Sequence, residues 1–397
     1  MSGLRLLSLP LTVLRNRQGG VPRPRFLTYI VTFTCNARCV MCDSWKKPSP
    51  DDLSLEEIER IFRQLPPLDF VRLSGGEPFV RSDLPEIAGL AERHLRPLCL
   101  HITSNGFLTD RIVRFCENRP KQTPLRLLIS IDGMAPQHNA IRGRDTAWDS
   151  AVATLRALSG RRRELNLILS VNQTITDAAS MADYARLRDF LQPLGIRNNV
   201  VMAYRESATY SVDASVDTTP RHPGAFQPYG VFSPGEIEAF LGQVEADLGT
   251  AAWADRAAKR YYLRGIRNRL LEGRSHPNPP CVALHSHLRL MPNGDVPVCQ
   301  FNSRSVGNLR RQSFAEVWKG IHAASQRRWV RACPGCWAEC EILPSALYTG
   351  DILREALVLG SGDSLPVSVP GTVRAPAGTP VAPAAPARGQ GALTGRR

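Results

Sequence analysis

The chain has 397 residues, 43% of them hydrophobic, enough for a barrel-sized catalytic domain, a small second domain and a tail. Its formal net charge is +14, carried mostly by arginines that stand singly or in short runs such as Arg161, Arg162 and Arg163. Such runs coat a solvated face more often than they read a phosphate backbone, and 7% aromatic residues leave little for base stacking, so nucleic acid is not expected as a substrate.

The first segment, 1–25, mixes Leu4, Leu6, Leu7, Leu9, Leu11, Val13 and Leu14 with Arg5, Arg15 and Arg17. Pro10 interrupts the apolar run and no small-residue cleavage site follows, so the segment does not read as a secretory signal. Nowhere do about 18 apolar residues run together, so no bilayer span is expected and a cytoplasmic protein is. The leucine-rich start is expected to form a helix packed on the body, or a surface helix making peripheral membrane contact.

From 26 to 203, short apolar runs alternate with amphipathic stretches, the pattern of successive βα units. Strands are expected at 26–33, 69–74, 98–103, 125–131, 166–172 and 196–203. Ser54 and Glu57 form a capping box ahead of a helix that places Leu55, Ile58, Ile61, Phe62 and Leu65 on one face. Six units make an α/β fold, a partial (β/α)6 TIM-like barrel of parallel strands, shorter than the full eightfold barrel of about 250 residues. Chemistry is then expected on the loops at the C-terminal strand ends.

Residues 204–280 read as a connecting loop and helices, the helix after Ser233-Pro234-Gly235-Glu236 carrying Ile237, Phe240, Leu241, Val244 and Leu248 as a stripe. Residues 281–345 form a small C-terminal cysteine-rich module. Residues 361–397 are Pro, Ala, Gly and Val with almost no aromatics, the composition of a disordered tail.

Directly after the first strand, Cys35, Cys39 and Cys42 stand as Cys-x3-Cys-x2-Cys. Clustered thiols in a reducing compartment argue for metal over disulfides. A structural zinc wants four ligands, and no fourth Cys or His is close, whereas three thiolates on a four-iron cube leave one iron open to substrate. Gly75-Gly76-Glu77-Pro78 ends the second strand, Thr103-Ser104-Asn105-Gly106 the third, Ser130-Ile131-Asp132-Gly133 the fourth, with His138 and Arg142 following, and Asn172 the fifth.

This series resembles the radical S-adenosylmethionine (AdoMet, SAM) superfamily over about residues 26–203. The resemblance implies that Cys35, Cys39 and Cys42 hold a [4Fe-4S] cluster that binds and reductively cleaves AdoMet. It also implies that Gly75, Gly76, Glu77, Pro78, Ser104, Asn105, Ser130, Asp132, Arg142 and Asn172 form the cofactor's pocket, with Arg142 facing its carboxylate. Met41 stands where many members carry an aromatic. His138 is expected to be structural.

The C-terminal module offers Cys281 and Cys299, with seventeen residues between them and Gly294 before the second, then Cys333, Cys336 and Cys340. This is similar to the SPASM and twitch domains of the same superfamily, which implies one auxiliary [4Fe-4S] cluster held by Cys281, Cys299 and two of the other three. The competing reading is a tetrahedral zinc ribbon. Cys99 and Cys116 are expected to be buried thiols. The implied activity is hydrogen abstraction by a 5'-deoxyadenosyl radical from an unidentified peptide, lipid or small molecule, with an electron donor such as flavodoxin or ferredoxin. Many peptide maturases carry an N-terminal leader-binding domain, and only 34 residues precede Cys35, so leader recognition in cis is not expected. The alternative from another class is a non-catalytic zinc or iron-sulfur module recognising nucleic acid.

Overall fold

A computed structural model describes residues 5–360 apart from 6, 50, 213–214, 221, 223–225 and 251–252. The tail expected over 361–397 lies outside the described residues. Seven parallel strands form one sheet: β1 (Phe26–Ile30), β2 (Phe70–Ser74), β3 (Cys99–Ser104), β4 (Leu125–Ser130), β5 (Leu167–Ile175), β6 (Arg197–Met202) and β7 (His287–Leu290). They lie in the order β6-β5-β4-β3-β2-β1-β7. The six expected strands are all present, in sequential order, as successive βα units require.

The seventh strand adds to that expectation. Four residues alternating His287, Leu288, Arg289 and Leu290 carry too weak a pattern to announce a strand in a buried parallel sheet. Pairing Phe26 with His287 and Thr28 with Arg289 nonetheless covers the free edge of β1. Beyond it, β8 (Asp295–Pro297) and β9 (Ser305–Asn308) pair antiparallel, and Gly294, at φ 91°, takes the turn that leads into β8.

Alternation sets the layers. Leu27, Tyr29, Val71, Leu73, Leu100, Ile102, Leu127 and Ile129 face outward into a core completed by the helices, each burial worth roughly 1.5–3 kcal/mol. Helix Leu55–Gln64 contributes Ile58, Ile61 and Phe62, and its capping box closes as expected, with Ser54 Oγ accepting from Glu57 N at 3.3 Å and Glu57 Oε2 from Ser54 N at 2.9 Å.

A second core joins helices Pro234–Asp247 and Trp253–Leu271 to the cysteine module. Trp337 is its anchor, donating Nε1–H to Tyr262 O at 2.9 Å and lying against Gly265, where an added Cβ would meet the indole at 1.8 Å. The N-terminal helix Leu9–Gln18 is tied down by Asn16, which donates to Ser286 Oγ and Tyr348 O at 2.9 Å, while Leu7, Leu11 and Leu14 stay exposed. Among the described residues no helix is long and apolar enough to cross a membrane.

Candidate active site

A cavity of about 350 Å³ opens where the strands end. The loop after β1 enters it with Cys35, Cys39 and Cys42, and this loop is docked by backbone bonds from Arg38 N to Arg142 O (2.9 Å) and Val40 N to Ile141 O (3.0 Å). Gly143, at φ 62°, permits the approach, since a Cβ there would stand 2.6 Å from Arg38 O. Burial pushes the thiols of Cys35 and Cys42 up to about 12 and about 11, so without a metal they are held protonated.

Gly75, Gly76, Ser104, Asn105, Ser130, Arg142 and Asn172 line the same cavity. At Gly75 and Gly76 an added Cβ would strike Thr32 O at 2.3 Å and Phe33 O at 2.4 Å, so the glycines are required by the segment that leads into the cysteine loop. The end of β2 and that segment interlock through Gly76 N to Thr32 O and Glu77 N to Thr34 O, both 2.9 Å.

Glu77, Pro78 and Asp132 stand outside the lining, behind the wall. The Glu77 carboxylate is buried and accepts from Ser104 Oγ (2.9 Å), Phe79 N (3.1 Å) and Asn105 N (2.6 Å), and burial pushes it up to about 7. It therefore fixes the ends of β2 and β3 against each other, and Asn105 in turn reaches the cysteine loop through Asn36 Oδ1 at 2.6 Å.

Asp132 is fully buried and takes Arg142 as a two-pronged partner at 2.6 and 2.9 Å. Burial alone would raise its pKa, but the Arg142 guanidinium outweighs burial and holds it at about 2. Arg142 thus spends Nε and Nη2 on Asp132 and keeps Nη1, 3.5 Å from Cys39 Sγ, for the cavity. His138 is buried and structural, its Nδ1 accepting from Asp132 N at 3.1 Å.

The residues missed from the sequence come from two places. Tyr204, Ser207 and Tyr210, in the stretch read as a connecting loop, line the cavity, and this stretch binds both neighbours through Asp43 N to Tyr210 O and Thr209 N to Gln300 O at 3.1 Å. Arg72, His101 and Arg289 come from strand interiors, where a charged residue in an apolar run was the available signal.

The other five thiols divide. Cys281, Cys299, Cys333 and Cys336 line a small second hollow with Phe301, Trp329, Val330 and Ile342. Cys340 lines the first cavity instead, donating to Gln300 Oε1 at 2.8 Å. Burial pushes Cys281 up to about 12 and Cys340 up to about 11. Among the described residues no three His, Cys, Asp or Glu side chains converge closely enough for a single metal ion. Four thiols around one hollow are the donor set that a [4Fe-4S] cluster takes, and equally the number that a tetrahedral zinc takes. Cys116 is buried as expected and Cys99 half-buried, and all ten cysteines are free.

Residues 29–185 match the radical SAM superfamily and residues 281–340 match an iron-sulfur cluster-binding domain of the SPASM type. The chain belongs to the radical SAM superfamily. It is a radical SAM enzyme with a C-terminal SPASM domain, and the two domains imply [4Fe-4S] clusters and AdoMet as cofactors. The non-catalytic alternative is thereby set aside. An Fe-coproporphyrin III synthase of Methanosarcina barkeri is 30% identical over 160 residues, 38% of this chain and 39% of that relative. The chain therefore spans well under half of that relative's length. An AdoMet-dependent heme synthase of Nitratidesulfovibrio vulgaris is 22% identical over 351 residues, 82% of this chain and 87% of the relative. The fold is shared with Streptococcus suis SuiB bound to S-adenosylmethionine, at TM-score 0.54 and 16% identity over 80% of this chain and 71% of that one.

Proposed function

We propose that this radical SAM enzyme reductively cleaves AdoMet in the first cavity and abstracts hydrogen from a substrate bound beside it. The observation that carries the reading is that three thiols from one loop and polar groups from four successive strand ends share one cavity. Cys35, Cys39 and Cys42 would hold the AdoMet-binding cluster. When bound, cluster and AdoMet together supply a 5'-deoxyadenosyl radical able to attack an unactivated C–H bond.

The chain's own residues orient and enclose. The backbone at Gly75 and Gly76, with Ser104, Asn105, Ser130 and Asn172, offers hydrogen bonds around the cofactor, and Nη1 of Arg142 offers one charged donor to its carboxylate. Tyr204 and Tyr210 wall the cavity from the side of the C-terminal module and keep water away from a reactive species. Cys281, Cys299, Cys333 and Cys336 would hold the auxiliary cluster. Cys340 is then the spare thiol. A flavodoxin- or ferredoxin-type donor would supply the electron.

The protein reconstituted with iron and sulfide in the absence of oxygen should form 5'-deoxyadenosine and methionine from AdoMet and dithionite without added substrate. Retention of iron and sulfide with no 5'-deoxyadenosine under any reductant would overturn the reading.

A further inference from the structure

The barrel wall carries one layer that is unlike the packed apolar layers of closed parallel barrels. Register places Arg289, Thr28, Arg72, His101 and Arg126 side by side on β7, β1, β2, β3 and β4. Three arginines line the cavity: Arg72, Arg142 and Arg289. Arg142 is neutralised by Asp132 at 2.6 Å and Arg289 by Glu341 at 2.6 Å. Glu339, also on the lining, is neutralised by Lys259 at 2.6 Å. Among the described residues Arg72 has no carboxylate partner.

The guanidinium of Arg72 is held in place nonetheless. Its carbon lies 5.1 Å from the centroid of the Phe26 ring, and its Nε donates to His101 Nδ1 at 3.4 Å. Among the described residues the two terminal nitrogens have no hydrogen-bond partner, and they form the edge that matches a carboxylate. With Nδ1 of His101 accepting, its proton sits on Nε2, a buried donor that likewise has no partner. Burial disfavours charge on both side chains, and His101 is driven well below its ordinary pKa, so it is neutral beside the arginine. Glu339 and Glu341 lie near enough to favour the charge on Arg72, but each is already paired, so the cluster keeps about one net positive charge, which suits a monoanion better than a phosphate dianion.

We propose that Arg72, seconded by His101, is the anchor for a carboxylate of the substrate, a carboxylic acid whose apolar body lies along Leu128, Val201 and Met202. This rests on reading the same cavity as the site of AdoMet cleavage. Arg72 and Ser74 share a face of β2, so the anchor lies about 7 Å down the strand from the Ser74-Gly75 end. Anchor and cofactor thus sit at different depths, as a substrate beside a cofactor requires.

The test uses the reconstituted enzyme saturated with AdoMet, without reductant, and two fluorine-labelled probes, 3-(4-fluorophenyl)propionate and its amide, followed by fluorine NMR. The acid should bind saturably and at least about tenfold more tightly than the amide, the advantage of a charge-assisted contact. Arg72→Met should erase that difference, and Arg72→Lys, which keeps the charge but loses the fork, should retain part of it. Equal binding of acid and amide, no saturable binding of either, or an undiminished preference in Arg72→Met overturns the proposal. The acid-amide comparison needs only wild-type protein, so misfolding of a variant does not obscure it. Because no turnover is involved, its failure leaves 5'-deoxyadenosine formation standing, and failure of that reaction is seen separately.

Discussion

The two cysteine sites of this radical SAM enzyme are built on opposite plans. The first offers three thiols on one loop, polar groups at four strand ends and an open cavity of about 350 Å³. The second offers four thiols gathered from well-separated parts of the C-terminal module, in a hollow closed by Phe301, Trp329 and Ile342. A cluster held by the three thiols beside free space would keep a metal position for a small molecule, whereas one held by the four thiols behind apolar walls would keep none, which suits a centre that passes electrons or holds the module together. The first site is therefore the place to look for chemistry.

The largest effect expected from this contrast is in iron and product together. Wild type should hold about eight irons, two four-iron clusters. Cys42→Ala should lose about half of them and all 5'-deoxyadenosine formation. Cys336→Ala should also lose about half but still cleave AdoMet slowly. Cys340→Ala should keep the full complement. Iron and acid-labile sulfide analysis with product chromatography reads all three, and loss of iron in Cys340→Ala would break the division of the five thiols.

The walls differ as well, and this is the next effect in size. Arg142→Ala leaves Asp132 fully buried without its partner, which should cost about 3–5 kcal/mol in urea unfolding, beyond any loss of AdoMet affinity. Replacing the pair together, Arg142→Met with Asp132→Leu, should recover most of that stability. If Arg142→Ala is as stable as wild type, the ion pair is not what supports the first cavity.

The smallest contrast concerns glycines. Gly76→Ala would drive a methyl into the carbonyls of Phe33 and Thr34, both 2.4 Å away and both main chain. Gly335→Ala, at φ 92°, would meet only the side-chain end of Asn278, which can turn aside, leaving a backbone cost on the order of 1–2 kcal/mol. The unfolding midpoint should thus fall further for Gly76→Ala, and the reverse order would show that the cysteine loop yields more easily than its packing suggests.

Much of the barrel was legible because its signals are local. The capping boxes at Ser54 and Ser233 and the βα alternation depend on residues within a few positions of one another, and they mark their helices and strands directly. The strand-end motifs were legible for the same reason, although Glu77 and Asp132 turned out to brace the wall from behind. What stayed hidden depends on non-local pairing. Nothing near His287 says that it will lie beside Phe26, and nothing near Cys340 says that it turns toward Gln300 and away from the hollow of its neighbours. Arg72 was hidden differently, since a charged residue inside an apolar strand gains meaning only when the partners of every other charge around it are known.

The pairing of β7 with β1 has a consequence for how the chain is made. During synthesis β1 emerges early, and its outer edge finds its partner only when residues 287–290 have left the ribosome. Until then the nascent barrel presents an unpaired edge, a template for mispairing with another chain, and the contact that seals it has among the largest sequence separations in the molecule. A truncation ending before residue 287 should accordingly be retained by chaperones or aggregate, even though all six strands of the catalytic barrel are present in it.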